Sequence, residues 1–253
     1  MTDTPVALAV RGLAKSFGPK VAVAGIDLDV PTGSFYGLVG PNGAGKTTTL
    51  SMASGLLRPD MGEVFVQGRN LWHNLAEAKR MLGILPDGAQ LFDRLTGAQL
   101  VTYAGLLQGL ERDEADRRRD ELFEVLGLTE AAGQLVVDYS AGMTKKVSLA
   151  CALVHAPKIL LLDEPFEAVD PVSATVIRSI LVDFTHAGGT VVVSSHVMDL
   201  VQRMCDHVAI IFEGQVKAAG TLDQVRAGVS LEERFVDIVG GLPQRSGLGW
   251  LLS

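Results

Sequence analysis

Cysteine is scarce in this sequence: Cys151 and Cys205 are the only two among 253 residues, and no C-x-x-C pair occurs. That scarcity excludes a disulfide framework and a cysteine-rich zinc site, and the two thiols, set in apolar stretches, read as reduced core residues of a cytosolic protein. Long apolar runs are missing too. Ile159–Leu162 and Val208–Phe212 are among the longest, far short of the roughly 18 residues that a spanning helix needs. Any membrane span is therefore expected on another chain. Met1 to Pro5 is polar and carries Asp3, unlike the basic start and apolar run of a signal peptide. Positive charge is in deficit, with 22 Lys and Arg against 29 Asp and Glu and a formal net charge of −7. A nucleic-acid surface usually leaves a basic footprint, so no nucleic-acid partner is expected. Repeats and low-complexity stretches are also lacking.

What is present is a globular composition, 47% hydrophobic and 20% charged, in a chain long enough for one large domain or two small ones. Short strand patterns alternate with longer helical ones. Val6–Val10 and Ile26–Val30 read as strands, Phe35–Val39 as a short apolar strand ending at a glycine loop, Gly45–Gly55 as a helix and Glu63–Gln67 as a strand. From about Gln90 to Ala156 strand signals vanish. Thr96-x-x-Gln99 has the form of a capping box that opens a helix, and Glu111–Leu126 carries an apolar stripe at Leu122, Phe123 and Leu126. Strands return at Ile159–Asp163, Thr190–Ser194 and Val208–Phe212, with a helix between that starts at Asp170-Pro171 and stops at Gly188-Gly189. An α/β sheet interrupted by a helical insertion is the expectation.

Four segments carry chemistry. Gly40-Pro41-Asn42-Gly43-Ala44-Gly45-Lys46-Thr47-Thr48 fits G-x-x-x-x-G-K-[ST] between a strand and a helix. Its glycines let backbone N–H groups curl around an anion, and the helix dipole points to the same place. Lys46 is placed to reach β- and γ-phosphates and Thr47 to offer its hydroxyl to Mg²⁺. Leu160–Leu162 leads into Asp163-Glu164, two carboxylates at the end of a strand buried on both faces, where open α/β sheets bind ligands. Asp163 suits the Mg²⁺ shell and Glu164 suits a general base for an attacking water. Ser140 and Gly142, in Tyr139-Ser140-Ala141-Gly142-Met143, start a helix, where hydroxyl and N–H groups either cap it or meet a phosphate. His196 closes another apolar strand, as a structural residue or as a γ-phosphate contact.

In that order the four segments resemble the ATP-binding-cassette ATPases over about residues 5–225. Gly40–Thr48 matches the Walker A motif and Leu160–Glu164 the Walker B; Tyr139–Met143 occupies the signature, Asp170 the D-loop aspartate, His196 the switch histidine, and Phe17 the aromatic that stacks on adenine. The resemblance implies a P-loop core of mostly parallel sheet, an antiparallel β subdomain, and an inserted α-helical subdomain at about 90–156, followed by a short C-terminal helix and tail at 226–253. It implies ATP and Mg²⁺ as ligands and a second cassette, identical or different, that completes each site with Ser140 and Gly142. It also implies membrane-spanning permease subunits contacted through the helical insertion and the loop at Asp87, and a place on the cytoplasmic face of the membrane.

Some positions depart from the family pattern. The signature Leu-Ser-Gly-Gly-Gln is altered at Tyr139, Ala141 and Met143, and Asp87 stands in Leu85-Pro86-Asp87-Gly88 where glutamine is usual, with a place in the Mg²⁺ or water shell as its expected role. Phe166-Glu167-Ala168-Val169 differs from the usual small, polar run. The whole is similar to the cassettes of ABC-2 type exporters, with an active ATPase expected. The alternatives are a non-transport cassette, which the acidic balance and ordinary insertion disfavour, and a regulatory ATP-binding module without turnover, which Glu164 and His196 disfavour. Gly240–Ser253 reads as a frayed terminus, with a partner contact through Trp250-Leu251-Leu252 as the other reading.

Overall fold

In the computed structural model, residues 5–88 and 91–240 are described; most of the Gly240–Ser253 tail lies outside them. The chain opens with two long antiparallel strands, β1 (Val6–Phe17) and β2 (Lys20–Pro31), then β3 (Phe35–Val39), helix α1 (Lys46–Ala53), β4 (Met61–Val66), the short β5 (Arg69–Asn70), α2 (Leu75–Met81) and β6 (Leu82–Leu85). Next come α3 (Gly97–Leu107), α4 (Arg112–Leu126) and α5 (Ala141–Leu153), followed by β7 (Ile159–Asp163), α6 (Pro171–His186), β8 (Thr190–Ser195), α7 (Met198–Met204), β9 (His207–Phe212), β10 (Gln215–Thr221), α8 (Leu222–Arg226) and α9 (Leu231–Ile238).

Two sheets result. One is antiparallel, in the order β2-β1-β4-β5; the other runs β10-β9-β3-β8-β7-β6, parallel throughout except for the β9–β10 hairpin. This is the α/β P-loop architecture expected from the sequence. Alternation along the wholly apolar strands explains how one sheet supports two cores, because successive side chains leave opposite faces. Tyr36, Leu38, Ile159, Leu161, Val192 and Ile211 pack under the antiparallel sheet and α1. Phe35, Val39, Leu160, Leu162, Val191 and Val193 face the helices of the insertion with Phe123, Leu126 and Val147. Burial pushes both thiols above the usual range, Cys151 to about 12, in keeping with inert core cysteines.

Several elements differ from the sequence expectation. β1 runs on past Val10 to Phe17, because the register shifts between Val10 and Leu13 at Gly12, whose φ of 58° breaks the alternation that marks a strand. α2, β6 and β10 carried too weak a pattern to be anticipated. Thr96 and Gln99 do form the capping box of α3, and Asp170 caps α6 by accepting from Val172 and Ser173 N–H.

The tyrosine that leads the altered signature has a structural basis. Tyr139 is buried, and its hydroxyl donates to the Ala131 carbonyl at 2.7 Å. A side chain at Gly97 would meet that hydroxyl, since a Cβ there would lie 2.0 Å from it. Glycine at 97 and tyrosine at 139 therefore form a matched pair at the base of α3 and α5. Tyr139→Phe, which leaves the Ala131 carbonyl without this donor, is expected to lower unfolding free energy by about 1 kcal/mol. Gly97→Ala should cost more, and urea denaturation of both variants measures the difference.

Candidate functional site

Strand β3 lies between β8 and β9 in the middle of the parallel sheet, and the glycine loop leaves its carboxyl end. The loop closes against its neighbours too tightly for side chains. A Cβ on Gly40 would lie 2.1 Å from the Ile211 carbonyl oxygen, and one on Gly45, where φ is 108°, would lie 2.6 Å from that of Ala22. The β9–β10 hairpin buttresses the loop, with Gly214 N–H donating to Ala44 O at 2.9 Å. No side chain caps the start of α1 at Gly45, so the first helical N–H groups remain directed into the loop, an anion-binding arrangement.

Lys46 is only 5% exposed; its ammonium donates to Gly40 O at 2.9 Å and Pro41 O at 3.2 Å, and lies 3.6 Å from Glu164 Oε1. Glu164 follows the end of β7. It takes a φ of 45°, the left-handed region that a residue with a Cβ disfavours. Three contacts hold it there. Its N–H donates to Ser194 Oγ at 2.9 Å, its carbonyl accepts from Lys145 Nζ at 2.9 Å, and its carboxylate meets His196 Nδ1 at 3.1 Å. Ser194 Oγ in turn donates to Asp163 Oδ1 through a very short bond.

Lys46 and Glu164 front a cavity of about 440 Å³, and His196 meets Glu164 from outside its lining. Of the residues expected at the site, Phe17, Asn42, Gly43, Gly45, Lys46, Thr47, Thr48, Asp87 and Glu164 line it; Gly40 and Pro41 hold Lys46 from behind, and Ala44 is buried under the loop. Asp163 does not line the cavity: it is buried against Ser194. Asp87 stands on the rim, with a carboxylate oxygen 3.9 Å from Lys145 Nζ.

Ser140, Gly142 and Asp170 form a separate cluster outside that cavity. Ser140 Oγ accepts from Met143 N–H at 3.3 Å and caps α5. A Cβ on Gly142 would sit 2.7 Å from Asp170 Oδ2, so α5 and α6 start against each other. Hydrogen bonds from Ser173, first its N–H and then its hydroxyl, hold the Asp170 carboxyl below the usual range.

Sequence reasoning missed Lys20, Ala22 and Glu167, which line the cavity, and Ser194 and Lys145, which hold Glu164. Ser194 had a findable signal, since β7 and β8 pair in parallel with Asp163 opposite Ser194. Lys145 had none, because nothing local ties it to a turn 19 residues away.

Comparison with known proteins gives the same outline. A family model described as ABC transporter matches residues 23–167. Over 214 residues the chain is 37% identical to the linearmycin resistance ATP-binding protein LnrL of Bacillus subtilis (strain 168), covering 85% of this chain and 69% of that one. It is 35% identical over 228 residues to the daunorubicin/doxorubicin resistance ATP-binding protein DrrA of Streptomyces peucetius, covering 90% and 69%. It is 39% identical over 220 residues to the methionine import ATP-binding protein MetN of Thermobifida fusca (strain YX), covering 85% and 68%. Among solved structures, one described as the ATP binding subunit of an ABC transporter superposes with a TM-score of 0.85 at 28% identity, covering 92% of this chain and 99% of that one.

Ser194, on β8, holds both carboxylate residues at the end of β7, so its loss is felt at both. Ser194→Ala leaves the Glu164 N–H with no acceptor in a buried corner. It is expected to lower stability by about 1–3 kcal/mol, read from the shift in a urea unfolding midpoint.

Proposed function

The chain belongs to the ATP-binding subunits of ABC transporters, and from that premise we propose that it hydrolyses ATP to power export of a substrate through separate membrane-spanning subunits. The observation that carries the hydrolytic reading is the placement of the Glu164 carboxylate 3.6 Å from Lys46 and 3.1 Å from His196, at the mouth of the glycine loop. Loop N–H groups and Lys46 hold the phosphates. Phe17, 51% exposed at the cavity edge, offers its ring to adenine. Glu164 receives the proton of the attacking water, and His196, bonded to Glu164, orients toward the γ-phosphate. The Thr47 hydroxyl and the Asp87 carboxylate, which line the cavity, are hard oxygen donors of the kind that would suit Mg²⁺ beside phosphates and water, and Asp163, buried against Ser194, would add a carboxylate from outside the cavity lining. When bound, the ion neutralises charge on the β- and γ-phosphate oxygens.

Ser140, Gly142 and Asp170 cannot serve their own chain's cavity from where they lie, and this supports a second cassette, identical or different, that completes the site in trans. No helix among the described residues is long and apolar enough to cross a membrane, so attachment to the cytoplasmic face runs through the membrane subunits. For these we assign the groove of about 670 Å³ beside α3 and α4, where Phe92, Leu95, Tyr103 and Leu106 present apolar surface. Phe92 and Tyr103 are exposed and pack edge to face at 5.8 Å. Exposed aromatics of this kind mark interaction sites. The proline-acid loop at Pro86-Asp87, the tyrosine-led signature and two resistance proteins among the relatives favour export.

Glu164→Gln is expected to lower ATP turnover by about 10²–10⁴-fold while retaining ATP binding; turnover at the unaltered rate removes Glu164 as the base. Mixing a Lys46→Ala chain with a Ser140→Ala chain should restore turnover, because one of the two shared sites is then intact, whereas sites built within one chain would stay silent. Phe92→Asp is expected to abolish co-purification with the membrane subunits and to leave turnover of the isolated chain unchanged.

A further inference from the structure

One ammonium joins three separate parts of the molecule. Lys145 extends from α5, in the helical insertion, and its side chain is 18% exposed. Its Nζ donates to the Glu164 carbonyl at 2.9 Å and faces Asp87 Oδ1, in the loop after β6, at 3.9 Å. Glu164 needs such a hold. Its left-handed conformation is disfavoured for a residue with a Cβ and persists only where surroundings over-determine it. Ser194 fixes the N–H side of the residue from within the sheet. The carbonyl side is bonded to Glu167 N–H, a member of the same turn, at 3.2 Å, and to Lys145, among the described residues the one hydrogen bond to it from outside that turn. Asp87 and Glu164 line one cavity, and Lys145 pairs with the Asp87 carboxylate while donating to the Glu164 backbone carbonyl.

We propose that Lys145 is a positioning residue for Glu164, and that its pairing with Asp87 carries movements of the Leu85–Gly88 loop to the turn that aims the Glu164 carboxylate. Lys145 touches neither nucleotide nor water in this role; it acts through the Glu164 backbone. The inference rests on the reading of Glu164 as general base, and its test separates the two.

The test uses the full chain with Lys145→Met, which keeps the stem and removes the ammonium, and Lys145→Arg, which restores charge and donors. Lys145→Met is expected to lower kcat for ATP on the order of tenfold, as a small misplacement of a catalytic group does. The KM for ATP should stay within about twofold, the mark of a loss confined to the chemical step. Lys145→Arg should recover most of the rate. In the nucleotide-free protein, amide hydrogen exchange across Asp163–Ala168 should quicken roughly tenfold in Lys145→Met, with α6 unchanged. Asp87→Asn should lower kcat by a factor that is clearly smaller in the Lys145→Met background than in the unaltered chain. If the methionine variant does not fold, Lys145→Gln takes its place in the same measurements. An unchanged kcat, equal impairment in the methionine and arginine variants, additive effects of Asp87 and Lys145, or unchanged exchange would each overturn the proposal. Absence of turnover in the unaltered chain would strike the ATPase reading instead, and the exchange measurement would still decide the role of Lys145.

Discussion

A buried ammonium constrains this molecule more than any other single group. Lys46 is nearly shielded from water at 5% exposure, and a cation in that position is costly unless every direction offers an oxygen. The Gly40 and Pro41 carbonyls and the Glu164 carboxylate provide them. To do so, the loop must curl until its backbone touches the Ile211 and Ala22 carbonyls, which only glycine at 40 and 45 permits. Glu164 must in turn sit at the end of a strand near β3, and this requires the parallel order β3-β8-β7. The lysine, the glycines and the sheet order are thus consequences of one electrostatic demand.

The second corner of the site shows the same economy. Parallel pairing sets Asp163 opposite Ser194. A single hydroxyl then donates to Asp163 and accepts from Glu164 N–H, so the two carboxylate residues are held by one group from the neighbouring strand. Burial strengthens these bonds and raises the cost of leaving any one unmade. A strained Glu164 is tolerable here because its N–H, carbonyl and carboxylate all have partners on different elements.

Local patterns made much of this legible in the sequence. The apolar strands Phe35–Val39 and Ile159–Asp163 lie where their composition put them, since strands buried on both faces read as unbroken hydrophobic runs. The Thr96 and Asp170 caps were equally plain, because capping is a contact between near neighbours in the chain. Legibility failed where structure depends on distance along the chain. The far half of β1 is hidden by the bulge at Gly12, and β6 and β10 are too short or too half-exposed to announce themselves. Glu164 and its carboxylate neighbour were visible as a pair, while Ser194, 30 residues on, and Lys145, 19 residues back, became partners only through folding.

Three positions that depart from the family pattern, Tyr139, Ala141 and Asp87, have a local reason in the structure. Tyr139 reaches the Ala131 carbonyl across the space left by Gly97. Ala141 is the first residue of α5, a helical position that alanine fills without strain. Asp87 would bring a second carboxylate to a cavity that already holds Glu164 and Glu167, and Lys145 offsets that charge. Two of these residues meet a specific partner: Tyr139 fits against Gly97 within the helical insertion, and Asp87, in the loop after β6, faces Lys145.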